Sequence, residues 1–294
     1  MAGEYIEERL DKRAEKYHDQ HRRSFEGNVY PFIGRLPMRE ITAAHILDIM
    51  QRMDGRGAFA YALQVRRWIS AVFCYAVVTL LADADPAAAV KGAVERAAIN
   101  HSQPMSREQL GAYLAAVDRY KGFRVTVIAL RLLPMLFTRT IELRAARWPE
   151  FDLDQAVWLV PPERVKKRRV HLVPLSRQAV ALLRELRKIT GGDLLFPGLK
   201  DPSMPLSATT LNRAMEYMGI KGWHCHDFRA TANTHLEEMN LWRTRVIDMQ
   251  MARKDKNKTR AAYNHAEYLE KRRKMMQSWA DWVEECRTLP PLID

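Results

Sequence analysis

Residues 223–263, near the carboxyl end of the chain, bring together side chains that suit the chemistry of a phosphodiester. His226 and Arg229 are three positions apart, so a helix would place them on one face. Arg253 and Tyr263 follow within the same stretch. A tyrosine hydroxyl, with a free pKa of about 10, attacks phosphorus only beside a base or in a strongly cationic neighbourhood. The stretch therefore predicts part of a site for phosphoryl transfer.

The other parts of such a site occur earlier in the chain. Opening a phosphodiester without a metal requires a nucleophile, cations on the non-bridging oxygens and an acid for the departing oxygen. Arg139, like Arg229, offers a planar and permanently charged fork for phosphate oxygens. Lys166, in the basic stretch 164–169, is a candidate for the acid. We expect these residues, distant in sequence, to meet at one phosphate.

The hydrophobic pattern indicates the elements that would carry these residues. The apolar run 124–137 predicts a buried helix that ends just before Arg139. Two strand-like runs, 156–160 and 170–175, flank the basic loop that contains Lys166. The chain from 226 onward is expected to be helical. This part of the chain is therefore predicted to be mixed α/β, mostly helical with a small antiparallel sheet.

The first part of the chain shows only helical patterns. Apolar spacing predicts a helix over 5–25, a second that starts after Thr42, and a third over 58–81 that Pro86 ends. A polar segment without periodicity, 99–105, is interpreted as a linker. We expect an all-helical domain over 1–98 and a second domain over 106–294. The fold class is mainly α.

The charge balance points to a polyanionic partner. The 294 residues contain 47 Lys plus Arg against 35 Asp plus Glu, a net charge of +12. Neutralising phosphates releases condensed counterions, so nucleic acid is the leading partner and a membrane surface the second. The membrane alternative is weaker because the charge is spread along the chain, without a lipid-facing amphipathic segment.

Several classes of protein and site are disfavoured by composition. No apolar run approaches the roughly 20 residues of a membrane span, and the first residues lack a secretory signal, so a cytoplasmic location is expected. The odd cysteines, Cys74, Cys225 and Cys286, indicate free thiols. His224, Cys225 and His226 are adjacent in sequence without a second cluster, so no metal is expected.

The order of these residues resembles that of the tyrosine recombinase, or phage integrase, family. The resemblance rests on Arg139-Thr-Ile-Glu142, the loop residue Lys166, His226-Asp-Phe-Arg229 and Ala-Tyr263-Asn. The text at 142–148, 171–176 and 275–280 resembles the prophage and genomic-island integrases in particular. It covers about residues 28–282.

The resemblance implies a role for each residue. Tyr263 would attack the scissile phosphate and form a 3′-phosphotyrosyl bond, Arg139 and Arg229 would hold that phosphate, Lys166 would be the general acid and His226 would assist proton transfer. Glu142 would support the site. The family also implies a core-binding helical domain at 1–98, double-stranded DNA as partner and no cofactor. A homotetramer on DNA would form through the terminal helix, with a monomer as the alternative state of the free protein. The expected DNA contacts are Arg66, Arg67, Arg164, Lys167 and Arg168.

Two features depart from the family pattern. Ten residues before Tyr263 the family usually has His, sometimes Trp, and this chain has Arg253. Arginine still donates to a phosphate oxygen but does not titrate near neutral pH, so we hypothesise a retained contact with altered activity. Relatives usually also carry an arm-site DNA-binding domain ahead of the core-binding domain, and none is expected before Tyr5.

Taken singly, these signals have plainer explanations. Arg139 with Glu142 alone would be a surface ion pair, the basic loop a solvated hairpin tip, and Tyr263 an ordinary core or surface tyrosine. Their joint order favours the recombinase. Two alternatives stay open: a catalytically weakened DNA-binding regulator and a type IB topoisomerase-like enzyme. The apolar stripe at Met275, Met276, Trp279 and Trp282 fits packing within its own chain or on a neighbouring protomer equally well.

Overall fold

The computed structural model describes residues 15–93, 103–165, 169–253 and 268–288. The chain divides into two compact units, Met1–Asn100 and His101–Asp294. Four residues singled out from the sequence lie outside the described residues: Lys166, Lys167, Arg168 and Tyr263.

Amphipathic segments form helices throughout the described part of the first unit. These are α1 (Glu15–Asn28), α2 (Tyr30–Ile33), α3 (Ala43–Asp54), α4 (Phe59–Val78) and α5 (Pro86–Ala89). The core forms where α3 and α4 bury one face each, with Ile46, Met50, Val65 and Ile69 essentially inaccessible. The expected all-helical architecture of this unit is confirmed in the described residues.

Pro86 begins a helix, whereas the sequence suggested that it ends one. The preceding helix α4 already stops at Val78, and Pro86 occupies the first turn of α5. A helix tolerates proline there because the backbone N–H groups of its first turn have no partner within the helix. Asp85 completes the start of α5 by accepting from the backbone N–H of Ala87 at 2.9 Å.

The second unit is built on eight described helices and one small sheet. The helices are α6 (Arg107–Arg119), α7 (Arg124–Leu136), α8 (Thr140–Arg144), α9 (Arg177–Ile189), α10 (Thr210–Tyr217), α11 (Phe228–Glu238), α12 (Thr244–Gln250) and α13 (Leu269–Arg287). Gln103 and Met105 also bind this unit, because Gln103 accepts from the Trp223 indole and Met105 bonds to Thr231. Residues 103–105 therefore pack with the second unit.

The sheet has three antiparallel strands in the order β1–β2–β3. These are β1 (Phe151–Asp152), β2 (Val157–Val160) and β3 (His171–Pro174). Val157 pairs with Pro174 and Val160 with His171, so β2 and β3 form the predicted hairpin around the basic loop. The sequence did not indicate β1, because two residues are too short for an alternating pattern.

Hydrogen bonds connect the buried helix α7 to two neighbouring helices around a proline. Pro134 lies inside the helix and has no N–H to donate to the carbonyl of Leu130. The hydroxyl of Tyr113 on α6 donates to that carbonyl at 2.9 Å, and the indole of Trp279 on α13 donates to the carbonyl of Pro134 at 2.8 Å. These bonds fix the end of α7, which leads to Arg139.

The terminal helix α13 packs within its own unit. Met275, Met276 and Trp279 are buried in the core of the unit, and Trp282 is partly buried against it. Trp282 also lies against the ring of His235, with centroids 4.6 Å apart. This face of α13 is therefore occupied in the single chain.

Candidate functional site

Arg139 is aimed by a sharp change of backbone direction after α7. Phe137 ends the helix in the left-handed conformation with φ of +37°, which is unusual for a bulky residue. Its ring is buried and lies edge-on to Trp279 at 6.0 Å, which holds the turn in place. The chain then restarts as α8, with Arg139 at its N-cap.

Glu142 holds Arg139 from one helical turn away. Its carboxylate accepts from Nη1 of Arg139 at 2.6 Å and from the backbone N–H of Arg139 at 2.8 Å. The Glu142 side chain is 1% exposed, whereas that of Arg139 is 23% exposed. Glu142 therefore holds the Arg139 guanidinium in place while part of that side chain stays accessible to solvent. The pair differs from an ordinary surface ion pair because its carboxylate is buried.

Arg229, on α11, joins two segments that are distant in sequence. Its Nη1 donates to the carbonyl of Phe137 at 2.7 Å and its Nη2 to the carbonyl of Met251 at 2.8 Å. Burial and then the neighbouring Arg139 lower the pKa of Arg229 to about 10, so it remains charged at neutral pH. The structure thus brings Arg229 into the neighbourhood of Arg139, as the sequence predicted.

His226 lies at the same place, just before α11. Burial lowers its pKa from the ordinary value, and Arg229 lowers it further. Asp227 is buried and accepts from the backbone N–H of His224 at 2.7 Å, which fixes the turn that carries His226. An imidazole with a lowered pKa is neutral near pH 7 and can therefore accept a proton.

Arg253 follows α12 at the edge of the cluster. Its Nη1 lies 3.2 Å from Asp248 and also donates to the side chain of Asn233. About 43% of its side chain is exposed. It is close enough to Arg229 to depress the pKa of that residue. Arg253 therefore belongs electrostatically to the cluster, with a carboxylate of its own as partner.

Arg164 is used inside the protein, in contrast to the prediction that it contacts DNA. Its Nη1 donates to the carbonyl of Glu142 at 3.1 Å, and its Nη2 forms an ion pair with Glu150. Only 14% of the Arg164 side chain and 12% of that of Glu150 are exposed. Arg164 therefore connects the base of the hairpin to α8, and its guanidinium is engaged within the protein instead of being free for DNA.

The two arginines predicted to contact DNA from the first unit differ. Arg66 is half-buried and donates from Nη1 to the carbonyl of Ala87 at 2.8 Å, which holds α5 against α4. Arg67 is exposed. Of the two, Arg67 is the exposed residue and stays the candidate for a phosphate contact.

Three residues of the site region were missed from the sequence: His171, Gln250 and Arg272. Arg272 is 2% exposed and donates from Nε to the side-chain oxygen of Gln250 at 3.0 Å. His171 lies 3.0 Å from the carbonyl of Gln250, and burial, followed by Arg272, lowers its pKa to about 3. Arg272 lies one turn before Met275 and Met276, the stripe identified in the sequence, which was the available signal that it faces inward.

The sulfur and imidazole groups at 224–226 do not form a metal site in the structure. Cys225 is buried against Met215 and burial raises the pKa of its thiol to about 12, so it is an inert filler. Within the described ranges, no group of three His, Cys, Asp or Glu side chains could hold a metal ion. Among the described helices, none combines the length and apolar character of a bilayer crossing.

Comparisons with known families match both units. A model described as the phage integrase central domain matches residues 1–93, and one described as the phage integrase family matches residues 103–270. The integrase of Enterobacteria phage P4 is 35% identical in an alignment of 279 positions that covers 89% of this chain and 64% of that protein. Prophage integrase IntZ of Escherichia coli (strain K12) is 34% identical over 286 residues, 97% of this chain and 70% of that protein. The chain spans about two thirds of the length of these relatives.

Solved structures share the fold at low sequence identity. A lambda integrase dimer bound to a core site has a TM-score of 0.70 at 15% identity, covering 86% of this chain and 94% of that one. The Tn1549 transposon integrase in complex with a circular intermediate DNA has a TM-score of 0.70 at 16% identity, covering 94% and 97%. The two-unit architecture and its small sheet are therefore those of known integrases.

Proposed function

Because the chain belongs to the phage integrase family, we propose that it is a site-specific DNA recombinase that cleaves and rejoins duplex DNA. The outcome is integration or excision of a mobile element. The observation that carries the proposal is the position of Arg229, whose guanidinium is bound to the carbonyls of Phe137 and Met251 beside Arg139. This arrangement concentrates fixed positive charge where a scissile phosphate would lie.

The arginine cluster suits a phosphate because its guanidinium groups lie close enough together to repel one another. Arg139 pairs with Glu142 and Arg253 with Asp248, yet after burial both of these arginines still lower the pKa of Arg229, while Glu142 raises it. A phosphodiester would relieve that repulsion, and its charge rises further in the pentacoordinate transition state. Donors held by packing need no reorganisation when that charge develops, which is the main source of electrostatic catalysis.

The proposed reaction conserves bond energy. The oxygen of Tyr263 forms a bond to phosphorus while the bond to the 5′ oxygen breaks, giving a 3′-phosphotyrosyl link. His226, neutral near pH 7, assists removal of the tyrosine proton, and Lys166 supplies a proton to the departing oxygen. The 5′ hydroxyl of the partner strand then attacks the link and restores tyrosine. No nucleotide cofactor or metal takes part in this scheme.

We propose double-stranded DNA as substrate and a homotetramer on that DNA as the active assembly. The lambda integrase, to which this chain is similar in fold, has been solved as a tetramer bound to a Holliday junction. Since the apolar face of α13 is filled within its own unit, contacts between protomers would use the remaining surface of that helix or the residues that follow it. The reaction would take place in the cytoplasm, where chromosomal DNA lies.

The decisive experiment is a suicide cleavage assay. The protein is incubated with a nicked duplex that carries the core site from the ends of its mobile element, and products are separated on a denaturing gel. We expect a covalent protein–DNA adduct that Tyr263→Phe abolishes while DNA binding is retained.

The alternatives predict other results in the same assay. A catalytically weakened relative that acts as a regulator would bind the site without forming an adduct. This alternative is suggested by Arg253, which stands where the family usually has His. A type IB topoisomerase-like enzyme would relax supercoiled plasmids that lack the site. Either result would overturn the proposed recombinase.

A further inference from the structure

A buried arginine outside the phosphate-binding cluster holds the end of α12 in place. Arg272, near the start of α13, donates from Nε and Nη2 to the side-chain oxygen of Gln250 at 3.0 and 2.8 Å. Its Nη2 also donates to the carbonyl of Leu172 on β3. One guanidinium therefore connects the terminal helix, the last residue of α12 and the hairpin strand. A buried charge is costly, so a side chain held in this way must satisfy its donors locally.

Gln250 is gripped through both its side chain and its backbone. While the side-chain oxygen accepts from Arg272, the backbone carbonyl accepts from Nε2 of His171 at 3.0 Å. Gln250 is 1% exposed, so water does not compete for either acceptor. Its peptide orientation is consequently fixed from two elements, α13 and β3.

Met251, the next residue, connects the fixed Gln250 to Arg229. The carbonyl of Met251 follows Gln250 directly and accepts from Nη2 of Arg229 at 2.8 Å. Met251 is buried, and Ala252 then turns the chain with φ of +49°. The direction of the Met251 carbonyl is thus set by the preceding peptide, and that carbonyl orients one arm of the Arg229 fork.

We propose that Arg272 and Gln250 form a positioning pair that orients Arg229 toward the scissile phosphate through the carbonyl of Met251. The pair touches no reacting atom. The inference rests on the proposed recombinase function and adds to it two residues outside the family motif. A lysine at 272 would keep the charge but could not bridge Gln250 and Leu172, because an ammonium lacks the planar fork.

The test compares two versions of one substrate. Single-turnover cleavage of the nicked core-site duplex is measured with a normal scissile phosphate and with a methylphosphonate, which is neutral at that position and depends less on a neutralising guanidinium. We expect Arg272→Lys to cleave the normal phosphate about 10- to 100-fold more slowly than wild type, as for a small misplacement of a catalytic group. On the methylphosphonate the deficit should contract to about threefold or less, and Arg229→Lys should show the same contraction.

Matched variants separate positioning from general damage. Arg273→Lys makes the same change at the adjacent position, where the side chain binds the carbonyl of Gln155 on the surface, and should cleave both substrates like wild type. Gln250→Met removes the acceptor oxygen and should reproduce the Arg272→Lys pattern, so it serves if Arg272→Lys does not fold. Gln250→Glu restores an acceptor and should cleave within about threefold of wild type.

The outcomes are distinguishable from failure of the proposed function. If wild type forms no adduct, the recombinase proposal itself is wrong. If wild type cleaves and the folded Arg272→Lys or Gln250→Met variant is equally slow on both substrates, the pair is merely structural and this inference is overturned. Cleavage at the wild-type rate by either variant would overturn it as well.

Discussion

Nη1 of Arg229 lies 2.7 Å from the carbonyl oxygen of Phe137, although 92 positions separate the two residues in the chain. The carbonyl is available because Phe137 ends α7 in the left-handed conformation. The bond to the end of that helix also places Arg229 beside Arg139, which lies two residues later. The arrangement of the arginine cluster therefore depends on backbone geometry as much as on charge.

Arg229→Lys tests that dependence. Lysine cannot reach the carbonyls of Phe137 and Met251 at once, so we expect single-turnover cleavage to fall by about 100-fold or more. The free energy of unfolding should fall by about 1–3 kcal/mol, because a buried carbonyl loses its donor. Suicide-substrate kinetics and urea denaturation measure the two effects. Wild-type cleavage in this variant would remove Arg229 from the site.

Glu142→Gln should weaken the support of Arg139. The carboxylate accepts from both the side chain and the backbone N–H of Arg139, and an amide has only one acceptor oxygen for those two donors. We expect cleavage to slow by about 10-fold or more with DNA affinity nearly unchanged, measured by adduct formation and by gel shift. Asp154→Asn is the control, because it makes a similar change in an exposed ion pair, that of Asp154 with Arg184. It should behave like wild type.

Arg253→His tests the departure from the family pattern. If Arg253 keeps a phosphate contact at reduced efficiency, the usual histidine should cleave a nicked site faster than wild type, and Arg253→Ala should cleave more slowly. The ion pair with Asp248 supports this expectation, since that carboxylate would compete with a phosphate for the guanidinium. An unchanged or slower rate for Arg253→His would refute the hypothesis.

Arg66→Ala and Arg67→Ala should separate structure from DNA binding. Arg67→Ala removes an exposed cation, so DNA affinity should fall and the salt dependence of binding should lose about one unit of slope, with stability unchanged. Arg66→Ala removes the donor to the Ala87 carbonyl and should cost about 0.5–1.5 kcal/mol of stability. Salt titrations of binding and urea denaturation measure the two effects. A loss of stability in Arg67→Ala with unchanged DNA affinity would contradict the prediction.

His171 should make the second unit sensitive to acid. Its folded pKa of about 3 lies below the ordinary 6.5, so between these values the unfolded chain binds a proton that the folded chain does not. The contribution of His171 to the free energy of unfolding is therefore fully present above pH 6.5. It declines as pH falls, by up to about 1.4 kcal/mol per pH unit. His171→Gln should flatten this decline in urea denaturation at several pH values. A slope equal to that of wild type would show that His171 is not the source.

Local features of this protein were predictable from the sequence. The helix over 124–137 and the hairpin around the basic loop follow from hydrophobic spacing, which acts over a few residues. The sequence alone predicts the wrong role for Pro86, because a proline either ends a helix or begins one, and only the surrounding chain decides between them.

By itself the sequence determined which residue types are present and in what order, and the order of Arg139, His226 and Arg229 was enough to indicate chemistry at a phosphate. Only the tertiary structure decided how the charged side chains are used. Arg164 turned inward while Arg67 stayed exposed, because burial depends on packing between distant elements. The carbonyls that hold Arg229 could not be foreseen, since every residue has one and only the fold selects which two it meets.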